Sequence, residues 1–305
     1  MGADMFDWLM RPLRPLQPIP SPGAVPFQNR TLSQWKALQK VLPGLHPKCS
    51  RGKIHEARVL SRRFRASFSV LQKIPGAPRF KKLRKAVRGL TRLLGPIRSL
   101  DVTTDLWGEQ LKKMADGKTK KLGFIAESLQ EKRKKLRKRL QGLPKNPFEK
   151  KNPLKIFETS LKKIPWQNFS DRFHQRFSKS SEKLLVDWRR FAAKRSLKNL
   201  HQLRIGLKKW RYLTEIRSEC FSPLPKSFFD RVKDLQDSLG TVHDLDVLKI
   251  ELSAPGLQKK AIQRRSAQAL NAAIRELDRE IARGTENFFF RGKSELEALV
   301  TARNH

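Results

Sequence analysis

Cysteine is almost missing from this chain. Cys49 and Cys220 are the only two in 305 residues, too few for a disulfide framework and too far apart for metal-ligand spacing. The segment HEAR at His55 also lacks the second histidine of a zinc-protease motif, so no metal site or cofactor is expected. No apolar run approaches the roughly 20 residues needed to span a bilayer. The opening MGADMFDWLM has no basic start followed by a long apolar stretch. The expectation is a soluble, cytoplasmic protein without a membrane anchor. Valine-rich alternating segments bounded by Asn-Gly or Asp-Gly turns are absent, which argues against sheet. There is no GxxxxGK phosphate loop, zinc-finger spacing, RNP-type aromatic motif or heptad-linked basic region.

Negative charge is the scarcest commodity. Against 67 lysines and arginines stand 28 acidic residues, a formal net charge of +39. Self-repulsion of that size opposes compaction, so a folded chain is expected to meet a polyanion that relieves it. Apolar content of 38%, six tryptophans and 18 phenylalanines exceed what a disordered tail carries and imply a packed core under a cationic surface.

Residues 11–26, RPLRPLQPIPSPGAVP, hold six prolines and no helical period, so residues 1–30 are expected to form a flexible leader. From Thr31 onward apolar residues recur three and four apart, the pattern of an all-α chain. The spacing predicts helices over about 53–73, 79–94, 98–115, 119–142, 170–195, 198–221, 225–239, 243–252, 257–283 and 286–302. Gly240 reads as the left-handed residue ending one helix, which places Asp244 and Asp246 in the first turn of the next, in a structural role. Short loops imply antiparallel neighbours in bundles.

The chain also repeats itself. SRGKIHEARVLSRRFRASF from Ser50 lies over SLKNLHQLRIGLKKWRYLT from Ser196, an offset of 146 residues. LLGPIRSLDV from Leu93 lies over SLGTVHDLDV from Ser238, an offset of 145. Arg98 and Ser99 stand where the second copy has His243 and Asp244, so no acid/base pair recurs there. Two blocks in the same order at nearly the same separation predict two similar antiparallel helical bundles packed as a pseudo-symmetric pair, over residues 31–150 and 151–305. The boundary falls near LPKNPFEKKNP, residues 143–153.

On a helix with about 100° per residue, the cations three, seven and ten positions after the histidine share one arc of about 80° with it. In the first copy these are His55, Arg58, Arg62 and Arg65, and in the second His201, Arg204, Lys208 and Arg211. Apolar residues lie on both sides of each stripe: Ile54, Ala57, Phe64 and Phe68 against Val59, Ala66 and Val70, and Leu200, Leu203, Leu207 and Trp210 against Ile205, Tyr212 and Ile216. A solvated face normally sits opposite a single apolar stripe, so this arrangement points to the wall of a groove. Arginine suits such a wall because its guanidinium stays ionised and can hold two phosphate oxygens at once. The two histidines fit either a packed structural role or phosphate binding, in which an anion would raise their pKa. The first half carries Lys81, Arg84, Lys85, Arg88 and Arg92 in its next helix, whereas Asp230, Asp234 and Asp237 dilute Arg231 and Lys233 in the second. The run EKRKKLRKRL from Glu131 spreads its cations around the helix and reads as a solvated face.

The paired motifs LHQLRIGLKKWRYL and LQDSLGTVHDLDVL resemble those of the CHAD family, a histidine-bearing α-helical domain, over about residues 50–302. The resemblance implies two bundles related by a pseudo-two-fold, with a basic central surface that binds inorganic polyphosphate. In that family the domain is a binding module, at times joined to a triphosphate-processing CYTH domain, of which this chain shows no strand pattern. Carried over by position, the implied phosphate-contacting set is His55, Arg58, Arg62, Arg63, Arg65 and Arg88, then His201, Arg204, Lys208, Lys209, Arg211 and Lys233. The resemblance further implies a stand-alone, non-catalytic protein that associates with polyphosphate granules.

A sequence-independent nucleic-acid binder is the rival, because a chain of this charge adheres to DNA or RNA at low salt. A phosphate-processing enzyme would need metal-holding carboxylates beside the groove, and none is read from the sequence.

Overall fold

The computed structural model describes residues 23–71, 80–114, 116–142, 157–159, 161 and 169–301, all helical or connecting, with no strand among them. The helices are α1 (Ala24–Val41), α2 (Arg51–Leu71), α3 (Phe80–Lys112), α4 (Asp116–Lys138), α5 (Phe169–Ala193), α6 (Leu197–Cys220), α7 (Lys226–Leu252), α8 (Pro255–Gln263) and α9 (Ala267–Thr301). Short 3-10 turns follow α1 at Leu42–Gly44 and α4 at Arg139–Gly142.

The serine that opens each copy of the repeat caps its helix. Ser50 Oγ accepts from the Lys53 backbone N–H at 3.2 Å, and Ser196 Oγ from that of Asn199 at 3.3 Å. Each thereby satisfies one of the free N–H groups at a helix start. Beyond the caps, α2 buries Ile54, Ala57, Phe64 and Phe68, while α6 buries Leu200, Leu203, Leu207 and Trp210. On the opposite flank Val70 and Ile216 are buried too, so each stripe does run between packed sides.

Helix α2 packs on α3 and on α6, α6 on α7, and α3 on α7. Helix α1 touches both α2 and α6, α5 does the same with the larger contact on α6, and α4 meets both α3 and α9. One apolar core runs through both halves from Phe27 to Phe288. Its densest point on the first side is aromatic, where Phe64 stacks on Trp35 at 5.2 Å and meets Phe68 at 4.5 Å and Phe157 at 5.6 Å. Phe64 is fully buried, so Phe64→Ala is expected to cost about 3–5 kcal/mol. Urea unfolding followed by tryptophan fluorescence checks this, and a loss below about 1 kcal/mol would contradict the packing.

The structure departs from the sequence pattern at several points. Residues 24–30, assigned to the leader, form the start of α1, and Phe27 is buried against Phe169 at 4.7 Å. Residues 1–22 and the boundary segment 143–153 lie outside the described residues. Gly95 and Gly240 end no helix: α3 runs through Gly95-Pro96 and α7 through Gly240, which puts Asp244 and Asp246 mid-helix. A helical glycine costs about 1 kcal/mol and a proline about 3. The core contacts of Leu94, Ile97 and Leu100 in α3, and of Leu239, Val242 and Leu245 in α7, outweigh that. Gly284 likewise sits inside α9, where a Cβ would come within 2.8 Å of Val242 Cγ2, so it permits close helix approach. The chain instead breaks after α8, where Arg265 adopts φ 52°. There Ser266 N–H donates to Ala261 O and Arg265 N–H to Ile262 O, a Schellman ending without its usual glycine.

Candidate anion-binding seam

Two interhelical contacts fix how α2 and α3 run past each other. Arg58 Nη1 donates to Gly95 O at 2.8 Å, and Thr91 Oγ1 donates to Ser61 Oγ at 3.2 Å, so the helices are antiparallel with residue 58 opposite 95 and 61 opposite 91. In the second half Arg204 Nη2 lies 3.9 Å from Asp244 Oδ1, and Gln236 Nε2 donates to Leu207 O at 3.3 Å. With α2 packed on α6, the two stripes meet. Arg58 and Arg62 face Arg204 and Lys208, closely enough that Arg62 and Arg204 act on both Arg58 and Lys208.

Burial, then repulsion from Arg62, Arg204 and Arg98, lowers the Arg58 pKa to about 10. Lys208 falls from its ordinary 10.5 to about 7, first through burial, then through Arg204, Arg62 and Arg58, with Asp244 opposing. Arg204 is lowered by burial and by Arg62 against the pull of Asp244. Burial also lowers His55, aided by Arg98, Arg58 and Arg62, and lowers His201, aided by Arg204 and Lys208 against Asp246. His243, its ring 5.0 Å from that of His201, drops to about 3 through burial and then Arg204, His201, Lys208 and Arg58. Asp244 is raised by burial despite Arg204, Lys208, Arg98 and Arg58 around it. An anion in the seam would relieve this repulsion.

Lys208 also makes stability depend on pH. Its folded pKa lies below its unfolded value, so the penalty for charging it is full below about pH 7 and disappears as pH rises towards 10.5. Lys208→Met removes the charge and keeps the stem. The variant should melt higher than the parent at pH 6 and show a shrinking gain as pH approaches 10, checked by thermal melts of the ligand-free protein. Equal melting at both pH values would contradict it.

Of the twelve residues carried over, the structure brings His55, Arg58, Arg62, His201, Arg204 and Lys208 together. Arg65 and Arg88 adjoin them where the α2–α3 register continues. The other four lie elsewhere. Arg63 and Lys209 are eight positions past their histidines, about 80° round the helix from them and outside the arc. Arg63 Nε stands 3.4 Å from Glu215, and Lys209 is exposed. Arg211 donates to Glu215 Oε1 at 3.2 Å and Gln236 Oε1 at 2.8 Å, and Lys233 pairs with Asp237 at 2.9 Å. Three seam residues went unassigned in the sequence: Arg98, His243 and Asp244. Their signal was the second repeated block, which misled once Gly240 was taken for a helix end. Arg98 and His243 hold equivalent places, one cationic and the other neutral.

Other charged features are paired with one another away from the seam. Asp101, fully buried, pairs with Arg133 and lies 3.7 Å from Arg51, which clamps α3 to α2 and α4. Within the basic run of α4, Lys132 pairs with Glu251 and Arg137 donates to Pro47 O. An open pocket of 470 Å³ beside the seam is lined by Arg30, Arg63, Arg211 and Glu215, and its guanidiniums are held by Glu215 and Glu219. Among the described residues no group of three or more His, Cys, Asp or Glu side chains is arranged to hold a metal, and no helix is long and apolar enough to cross a membrane.

The family model for the CHAD domain matches residues 31–253. No curated protein matches the chain. Among solved structures, the crystal structure of the CHAD domain from the plant Ricinus communis superposes with a TM-score of 0.59 at 17% identity, covering 96% of this chain and 95% of that one. PptA from Streptomyces chartreusis superposes with a TM-score of 0.61 at 14% identity, covering 89% and 99%. At such identities the likeness is one of fold.

Proposed function

The chain belongs to the CHAD domain family, and on that premise we propose that it binds inorganic polyphosphate along the seam between α2 and α6 without transforming it. The observation that carries the reading is the crowding of Arg58, Arg62, Arg204 and Lys208, from two helices in contact, into one half-buried seam. A linear polyphosphate has charge at every unit and no bases to read. A row of guanidiniums with Lys208 and the histidine N–H groups therefore suffices to hold it.

His55 and His201 serve as donors to the chain and gain positive charge as the phosphates approach. The two halves, residues 31–150 and 151–305, act as equivalent walls related by a pseudo-two-fold. In support, α2 pairs with α6 and α3 with α7, and both repeats start on a serine cap. The working location is the cytoplasm, at polyphosphate granules.

Calorimetric titration with long-chain polyphosphate at near-physiological salt, with duplex DNA and tripolyphosphate as competitors, tests the reading. Tight binding that DNA does not displace supports it. Equal or stronger binding of DNA would overturn it in favour of non-specific nucleic-acid binding, since charge alone attracts any polyanion.

A further inference from the structure

The seam is shared by both halves, yet the surfaces leading away from it differ in charge. On the first side, the antiparallel register set by Arg58–Gly95 and Ser61–Thr91 brings Arg62 and Arg65 of α2 beside Arg92 and Arg88 of α3. Arg84 follows one turn farther on, because 84, 88 and 92 are four apart and share a face. All three are exposed. Helix α2 has one acidic residue, Glu56, and α3 has none before Asp101. Among the described residues none of Arg65, Arg84, Arg88 and Arg92 has an acidic partner. Their mutual repulsion depresses Arg65, after burial, through Arg88, Arg62, Arg92 and Arg84.

On the second side the matching face is neutralised. The offset of 145 that relates the two helices sets Phe229 against Arg84, Lys233 against Arg88 and Asp237 against Arg92, with Asp230 and Asp234 flanking them on α7. All three aspartates are exposed, and Asp237 already pairs with Lys233 at 2.9 Å. Arg211, the counterpart of Arg65, is held by Glu215 and Gln236. A phosphate chain leaving the seam this way would meet a lysine already paired and two flanking carboxylates, and one leaving the other way would meet four guanidiniums with no acidic partner among the described residues.

We infer that the seam opens at one end only: a long polyphosphate runs from Arg204 and Lys208 past Arg58 and out over Arg65, Arg92, Arg88 and Arg84, and does not continue over α7. The track rests on the polyphosphate reading above. It makes the protein selective for chain length, because the eleven helical steps of α3 from Gly95 to Arg84 add about 16 Å of basic surface that a short chain held in the seam cannot reach.

The test uses the full chain, long-chain polyphosphate and tripolyphosphate, and two double variants matched in charge. One is Arg84→Ala/Arg92→Ala, and the other is Lys134→Ala/Lys138→Ala on the exposed face of α4. Circular dichroism melts confirm that both fold. The arginine variant should bind tripolyphosphate within about 3-fold of the parent but long chains at least about 30-fold more weakly, while the lysine variant loses less than about 3-fold on either. Losses of equal size for both ligands, or no larger than in the lysine variant, would overturn the track and leave the seam standing. Failure of the parent to bind either polyphosphate would overturn the reading of function, and the track with it.

Discussion

Replacing Arg58, Arg62, Arg204 and Lys208 together by alanine is expected to weaken binding of long-chain polyphosphate by about 10³-fold or more at near-physiological salt. A hydrogen bond from a charged donor contributes about 1.5–3 kcal/mol, so four simple sums would predict an even greater loss. Neighbours in one cluster are not additive, and the lower figure allows for that. Unfolding does not confound the result. Burial first, and then the repulsion of the neighbouring cations, lowers Arg58 to about 10 and Lys208 to about 7 in the free protein. Removing them relieves that repulsion, at the loss of the Arg58 hydrogen bond to Gly95 O. The variant should therefore melt close to the parent while failing to hold its ligand. Calorimetry on both proteins checks the affinity, and parent-like binding by the variant would mean the seam is not the site.

Salt should act almost as strongly. Polyphosphate, like a single-stranded nucleic acid, releases condensed counterions when cations neutralise its backbone, and the slope of log K against log salt is about −0.7 for each phosphate engaged. Six to eight contacts in the seam and its neighbours give a slope of about −4 to −6, so affinity falls roughly 300- to 4,000-fold between 50 and 200 mM salt. The fourfold variant loses four of those contacts, and its slope should be shallower by about 3. A parent slope near −1 would indicate that few of these cations touch phosphate. Equal slopes in parent and variant would place the contacts elsewhere on the surface.

The fold class and the stripe were readable because they depend on local period. His55, Arg58 and Arg62 share an arc by helix geometry alone, and the repeat identified His201, Arg204 and Lys208 as their equivalents. What periodicity cannot supply is the partner across the interface. Nothing in HQLRIGLKKWRYL shows that Arg211 faces Glu215 and Gln236, because Gln236 lies on another helix. The pairing of Arg63 with Glu215 likewise depends on α2 packing against α6.

Glycine misled in both directions. Gly240 reads in sequence as a helix end and Gly95 falls just past one, yet long buried faces carry α7 and α3 through them. Meanwhile the break after α8 uses an arginine at positive φ, which no composition rule flags. The first of these errors hid His243 and Asp244, since a helix start would have turned them away from the seam that α7 in fact presents to α6.

The most direct measurement is a crystal structure of the full chain with long-chain polyphosphate bound. The account predicts phosphate density along the α2–α6 seam, within hydrogen-bond distance of Arg58, Arg62, Arg204 and Lys208, and continuing over α3 towards Arg84. Phosphates gathered on the exposed lysines of α4, or in the pocket around Glu215, with the seam empty, would contradict it.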